Sequence, residues 1–180
     1  MKRFCFNRAG AWLACCIGFL PSLWAGDFRL GSAGLRSGFS TTDATDGVWQ
    51  YEVFGQFDLP WVREWGSGWR LETWLDTAVG WLDDGDAGTA FGRIGPALTL
   101  SKAQFPVSLA GGLSPTFLGR DQFGGTDLGS SVQFSTHIGL NADLGGRWRI
   151  GYRFQHVSNA GLGSPNPGLD LQMFSVSFRF

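Results

Sequence analysis

The chain has 180 residues, enough for one domain, and combines 15% aromatic residues and 28 glycines with only 16% charged residues. That glycine- and aromatic-rich, charge-poor composition departs from an ordinary soluble domain. The formal net charge of −1 also lacks the basic footprint of a nucleic-acid binder.

The N-terminus reads as a secretory leader, residues 1–25, removed from the mature chain. Lys2, Arg3 and Arg8 form a positive start, and Ala9 to Leu20 is an apolar run of 12 residues, too short to span a bilayer as a helix. Pro21-Ser22-Leu23-Trp24-Ala25 is the expected cleavage region. A lipoprotein signal at Cys15 or Cys16 fits less well, because the apolar run continues past it. Cys5, Cys15 and Cys16 all lie in this leader, so disulfides, thiol catalysis and cysteine-bound metals are not expected of the mature chain. Loss of the leader leaves 11 basic residues against 15 acidic ones, a net charge of −4.

From residue 26 onward no apolar stretch reaches the length of a membrane helix. Period-two alternation recurs in about eight segments, 27–38, 48–59, 68–82, 89–101, 105–116, 129–142, 147–158 and 170–180, with Gly, Ser, Asp and Pro between them. In the third, Trp69, Leu71, Leu75, Val79 and Trp81 oppose Arg70, Glu72 and Asp76. In the sixth, Val132, Phe134, Ile138 and Leu140 oppose Gln133, Ser135, His137 and Asn141. In the seventh, Trp148, Ile150, Tyr152 and Phe154 oppose Arg147, Arg149, Arg153 and Gln155; in the eighth, Phe174, Val176, Phe178 and Phe180 oppose Ser175, Ser177 and Arg179.

The pattern predicts an all-β fold, an eight-stranded antiparallel transmembrane β-barrel over residues 26–180. A soluble lipocalin-like barrel is the competing architecture. Two features favour the membrane form: a polar face carrying Glu52, Glu72, Asp76, Arg149, Arg153 and Arg179, whose opposite charges can pair in a lumen, and strands long enough for a tilted span. The ending Phe178-Arg179-Phe180 resembles the terminal signal of bacterial outer-membrane proteins, which places the chain in the cell outer membrane. Tight connections near 102–104 and 144–146 belong on the periplasmic side, and the longer polar ones outside. The connection between the second and third segments, holding Trp61 and Trp65, is expected to be a longer inner-side exception.

On this orientation the last two segments carry a chemical constellation at their outer ends. His156 and Ser158 share the lipid face of the seventh segment, and Asp170 shares that of the eighth. A nucleophile, a base and an acid are the parts of a serine esterase. Ser158 is the expected nucleophile, His156 the base, and Asp170 the group that orients the imidazole. Asn159, Ala160 and Gly161 are the expected oxyanion hole, through the Asn159 side chain and main-chain N–H groups. His137 reads as a structural lumen residue, and Asp83, Asp84 and Asp86 as a solvated loop. The two histidines do not have metal-ligand spacing and no phosphate-binding glycine loop is present, so neither a metal nor a cofactor is expected.

The run Phe154-Gln155-His156-Val157-Ser158-Asn159-Ala160-Gly161, followed by Pro165-Asn166-Pro167-Gly168 and then Asp170, resembles the signature of the lipid A 3-O-deacylase family of Gram-negative outer membranes. The close match covers roughly residues 150–180. The resemblance implies hydrolysis of the ester-linked 3-hydroxyacyl chain at position 3 of lipid A, with His156, Ser158 and Asn159 in the family's histidine, serine and oxyanion-side positions. The family's acid is typically glutamate, where this chain has Asp170. The partners implied are lipid A or lipopolysaccharide in the outer leaflet and the membrane itself, with a homodimer left open and no nucleic acid. The competing functions are a structural or adhesion barrel without enzymatic activity, and another lipid-modifying barrel enzyme, a palmitoyl transferase or phospholipase.

Overall fold

The computed structural model describes residues 29–180; the expected leader lies outside them. Eight long strands close into one antiparallel barrel in the order β1–β10–β9–β8–β5–β4–β3–β2. They are β1 (Leu30–Ser40), β2 (Trp49–Glu64), β3 (Trp69–Asp83), β4 (Gly88–Lys102), β5 (Val107–Leu118), β8 (Val132–Asp143), β9 (Trp148–Ser158) and β10 (Leu169–Arg179). A two-stranded ribbon, β6 (Gln122–Phe123) and β7 (Thr126–Asp127), decorates the β5–β8 loop, and a single 3-10 turn, Asp43–Thr45, sits between β1 and β2.

Alternation sets the two faces. Leu35, Val53, Val79, Ile138, Trp148, Ile150, Phe174 and Val176 are exposed on the outside, whereas Arg36, Glu52, Asp76, Arg93, Arg153 and Gln155 are buried inside. Apolar outside and polar inside is the arrangement of a barrel in lipid. Rings gather at two levels. Phe39, Trp49 and Tyr51 contact one another toward one end (centroids 5.6 and 6.2 Å), and Trp148, Phe178 and Phe180 toward the other (5.3 and 5.6 Å). The connections after β2, β5's predecessor β4, and β8 are short turns at the inner end, and the loops after β1, β3, β5 and β9 lie together at the outer end.

The connection between β2 and β3 departs from expectation. β2 continues through Pro60 and Trp61 to Glu64, leaving only Trp65–Gly68 as a turn. Proline is tolerated there because Pro60 falls in the gap between Asp58 and Val62 where the pairing with β3 is interrupted, and on the β1 side no described residue pairs beyond the Asp58 N–H that donates to the Arg29 carbonyl at 2.9 Å. The pairing with β3 also shifts register between Asp58 and Val62, a bulge of the kind that ends or bends an edge.

The lumen has two storeys. At mid-height Glu52 accepts from Arg36, from Arg93 Nη2 at 2.7 Å and from Arg153 Nη2 at 3.3 Å, while Asp76 lies 3.3 Å from Arg93. Arg36 and Arg93 were not on the expected polar face, because the first and fourth segments are too glycine-rich for a clear parity. Glu72, Arg149 and Arg179 instead ring the inner mouth, where they pair with Arg70 and Asp143. Above the charged layer, Val48, Leu82, Phe91, Leu118, Phe123, Leu128, Val157, Leu169, Leu171 and Met173 form one buried apolar plug beneath the outer loops.

Candidate active site

The plug fixes which way the candidate residues point. Gln155 and Val157 on β9, and Leu169 and Leu171 on β10, are buried at 1%, 4%, 0% and 0% exposure. Each of the three apolar residues contributes about 1.5–3 kcal/mol by burial. A one-residue slip would exchange them for their neighbours, so the intervening residues His156, Ser158 and Asp170 are held on the exterior wall. Two residues inward along that face of β10, Gln172 pairs with Phe39 of the outer aromatic level. The three candidates therefore sit just beyond that ring, at the outer end of the exterior wall.

His156 and Asp170 are direct cross-strand partners. The imidazole Nδ1 lies 2.6 Å from Asp170 Oδ1, and both side chains remain partly open, at 44% and 37% exposure. With the carboxylate on Nδ1, the other ring nitrogen is left as the acceptor. Ser158 is two residues along the same face, roughly 6.5–7 Å away by strand geometry, and its hydroxyl makes no hydrogen bond to a described residue. An unengaged hydroxyl, an oriented imidazole and a carboxylate are thus gathered on one surface, within reach of a molecule lying against the barrel.

The loop after Ser158 is built around Asn159. This residue has 0% exposure. Its Nδ2 donates to the carbonyls of Leu128 (3.1 Å), Gly163 (3.2 Å) and Pro165 (3.0 Å), and its Oδ1 accepts from Gly161 N–H (2.9 Å). Its own N–H donates to Asn166 Oδ1 at 3.2 Å. The Asn159 amide therefore shapes the loop and presents no free donor. Of the three main-chain N–H groups expected to face an oxyanion, Ala160's is the one without a partner among the described residues, and Ala160 has the left-handed φ of 52°, a conformation costly for a residue with a Cβ.

Several residues that shape the site carry no motif in the sequence. Thr41 and Thr42 bind the main chain of Asp170. Gly168, at φ 73°, lies so close that a Cβ there would stand 3.3 Å from His156 Cε1. Gly129 packs against Pro165, where a Cβ would overlap its carbonyl. These are contacts between segments distant in the chain, visible only after folding. His137, by contrast, is in the lumen as expected, with the histidine opposite Gly112 and Gln155.

Among the described residues no three His, Cys, Asp or Glu side chains are placed to hold a metal ion. Asp84 instead organises the outer loops: its carboxylate accepts from the N–H groups of Asp86 and Ala87 in its own loop and of Gly125 across the barrel mouth, and from the Thr126 hydroxyl.

Residues 49–179 match the family model described as lipid A 3-O-deacylase (PagL). Over 69 residues the chain is 41% identical to the lipid A deacylase PagL of Bordetella bronchiseptica; the aligned stretch is 38% of this chain and 39% of that relative, so the match spans well under half of the relative's length. Among solved structures, the crystal structure of the outer membrane enzyme PagL superposes with a TM-score of 0.72 at 20% identity, covering 83% of this chain and 99% of that one. Neisserial surface protein A superposes with a TM-score of 0.51 at 11% identity, covering 83% of this chain and 95% of the other. At such identities these two likenesses establish the barrel fold alone.

Proposed function

The chain belongs to the lipid A 3-O-deacylase family, whose model spans most of its barrel, and from that premise we propose that it is an outer-membrane esterase that hydrolyses the ester-linked 3-hydroxyacyl chain at position 3 of lipid A. The observation that carries the reading is the 2.6 Å His156–Asp170 contact on the lipid-facing wall, with the Ser158 hydroxyl on the same face. A polar cluster facing lipid is costly and marks function, and a substrate that is itself a lipid reaches it without entering the barrel.

In this mechanism Ser158 Oγ attacks the ester carbonyl carbon while the free ring nitrogen of His156 takes its proton. Asp170 holds the Nδ1–H and stabilises the imidazolium that forms. The carbonyl oxygen becomes an oxyanion facing the main-chain N–H of Ala160, in the loop that Asn159 shapes. Collapse of the tetrahedral intermediate breaks the bond to the sugar oxygen, which leaves with the proton from His156. A water molecule, deprotonated by the same imidazole, then attacks the acyl-enzyme and releases the 3-hydroxy fatty acid, returning the proton to Ser158.

The test is mass spectrometry of lipid A from cells carrying the wild-type chain or Ser158→Ala. Wild type removes one 3-hydroxyacyl chain; Ser158→Ala inserts in the outer membrane and leaves lipid A intact. Equal loss of that chain in both strains would refute the assignment.

A further inference from the structure

The loop that leaves β1 is tied to the acid of the candidate triad. β1 ends at Ser40, opposite Leu171, one residue short of Asp170. The chain then turns away into the Asp43–Thr45 turn, so β10 loses its neighbour where Asp170 needs one. Two threonines replace it. Thr41 N–H donates to the Asp170 carbonyl at 2.8 Å, with Thr41 Oγ1 donating to the same oxygen at 3.2 Å. The Asp170 N–H donates to Thr42 Oγ1 at 3.0 Å, so a side-chain hydroxyl stands in for the strand carbonyl that β1 no longer offers. The hydroxyl's own segment is anchored: Thr42 N–H donates to Ser40 Oγ (3.2 Å), Ser40 Oγ lies 2.9 Å from Thr45 Oγ1, and Thr45 Oγ1 lies 3.5 Å from the carbonyl of Gly168.

This arrangement has a geometric result on the other side of β10. Both main-chain polar groups of Asp170 are turned toward β1, so opposite His156 it occupies a non-hydrogen-bonded position. In such pairs the Cα atoms approach to about 4.5 Å, against about 5.5 Å in hydrogen-bonded pairs. Aspartate has one methylene between Cα and its carboxyl group. Its reach to the Nδ1 of His156 depends on that closeness.

We propose that Thr42, supported by Thr41, is a positioning residue that holds the main chain of Asp170 where its short side chain can orient His156. The proposal rests on reading Ser158, His156 and Asp170 as one hydrolytic group. Thr42 touches no reacting atom and acts through Asp170. A longer acid would have slack of its own and would need the clamp less.

The full chain in detergent micelles, assayed on lipopolysaccharide, tests this, with folding monitored by the different gel mobility of heated and unheated barrel. Thr42→Val removes the hydroxyl and keeps the shape. It is expected to fold, to lower kcat about 10- to 100-fold as small misplacements of catalytic groups do, to leave KM unchanged, and to abolish the low-field imidazole N–H proton resonance of His156. Thr42→Ser restores both kcat and the resonance. In an Asp170→Glu background, Thr42→Val changes kcat by less than about threefold, because residues that act through one another are not additive. If valine blocks assembly, Thr42→Ala is read in the same way. Retention of kcat and resonance in Thr42→Val, failure of Thr42→Ser to restore them, or an undiminished loss in the Asp170→Glu background overturns the proposal. Wild-type protein that leaves lipid A intact overturns the hydrolase reading instead. The resonance still decides the clamp in that case: kept in Thr42→Val it refutes the clamp, and lost there but present in Thr42→Ser it supports it.

Discussion

Removing the carboxylate of Glu52 should cost this barrel more stability than any exposed charge. The side chain is fully buried and accepts from Arg36, Arg93 and Arg153, and its second oxygen accepts from Gln50 Nε2 at 2.7 Å. Three guanidinium groups face two carboxylates in the lumen, Glu52 and Asp76, a formal balance of +1. Glu52→Gln keeps the shape and one acceptor but raises that balance to +2, leaving Asp76 as the single counter-charge, 3.3 Å from Arg93 and 3.8 Å from Arg153. Breaking a buried ion pair by removing one partner costs about 3–5 kcal/mol, because the other charge stays desolvated. Exposed Glu64, which pairs with Arg70 at side-chain exposures of 64% and 45%, provides the control: Glu64→Gln is expected to change stability by less than about 1 kcal/mol. Equilibrium urea unfolding in micelles, followed by tryptophan fluorescence, measures both. A Glu52→Gln variant as stable as the Glu64→Gln control would refute the idea that this cluster holds the lumen together.

Three further outcomes follow from the outer end. Gly168→Ala forces a Cβ to 3.3 Å from His156 Cε1 at a φ of 73°; the barrel should fold while lipid A deacylation falls, and full activity would show that the ring tolerates displacement. Asn159→Ala leaves three loop carbonyls without their buried donor at about 1–3 kcal/mol; a drop in urea midpoint together with lost deacylation is expected, and an unchanged midpoint would contradict the loop-shaping role. Burial pulls the Asp84 carboxyl upward, but the N–H groups of Ala87, Asp86 and Gly125 and the Thr126 hydroxyl outweigh it and hold the group below the usual carboxylate range. A lowered folded value means that its tie between loops is complete above about pH 3.9 and is lost as pH falls through the lower folded value. The Gly125 amide chemical shift should therefore stay constant as pH falls from neutral toward the ordinary carboxylate value of about 3.9, move only below it, and be displaced at neutral pH in Asp84→Asn; an Asp84→Asn amide identical to wild type would exclude the tie.

The barrel was legible because alternation survives wherever glycine is sparse. The runs around Trp69–Trp81 and Trp148–Phe154 set strand type, face and span to within a residue or two of what folds. The longer inner-side connection expected to hold Trp61 and Trp65 is a tight turn at Trp65–Gly68 instead, because β2 runs on through Pro60, which falls where the pairing with β3 is interrupted. Glycine hid the parity of the first and fourth strands, and with it Arg36 and Arg93, two of the three guanidinium groups in the lumen's charge cluster. At the candidate site, parity alone puts His156, Ser158 and Asp170 on one wall, because period two is a local property. The roles of Thr42, Asn159 and Gly168 depend on loops meeting across the mouth of the barrel. No local pattern encodes such a meeting, so Asn159 reads in sequence as a donor to substrate when its amide is committed to the loop's own carbonyls.

The stacked lumen, salt-bridged at mid-height and greasy beneath the outer loops, makes this cylinder a bolt rather than a pipe. Ion pairs fill the bore at mid-height and apolar side chains fill the level above them. A cylinder filled in this way would add no pore to the envelope that holds it, and the chemistry proposed for it would be carried out from the rim, on the molecules of the barrier itself.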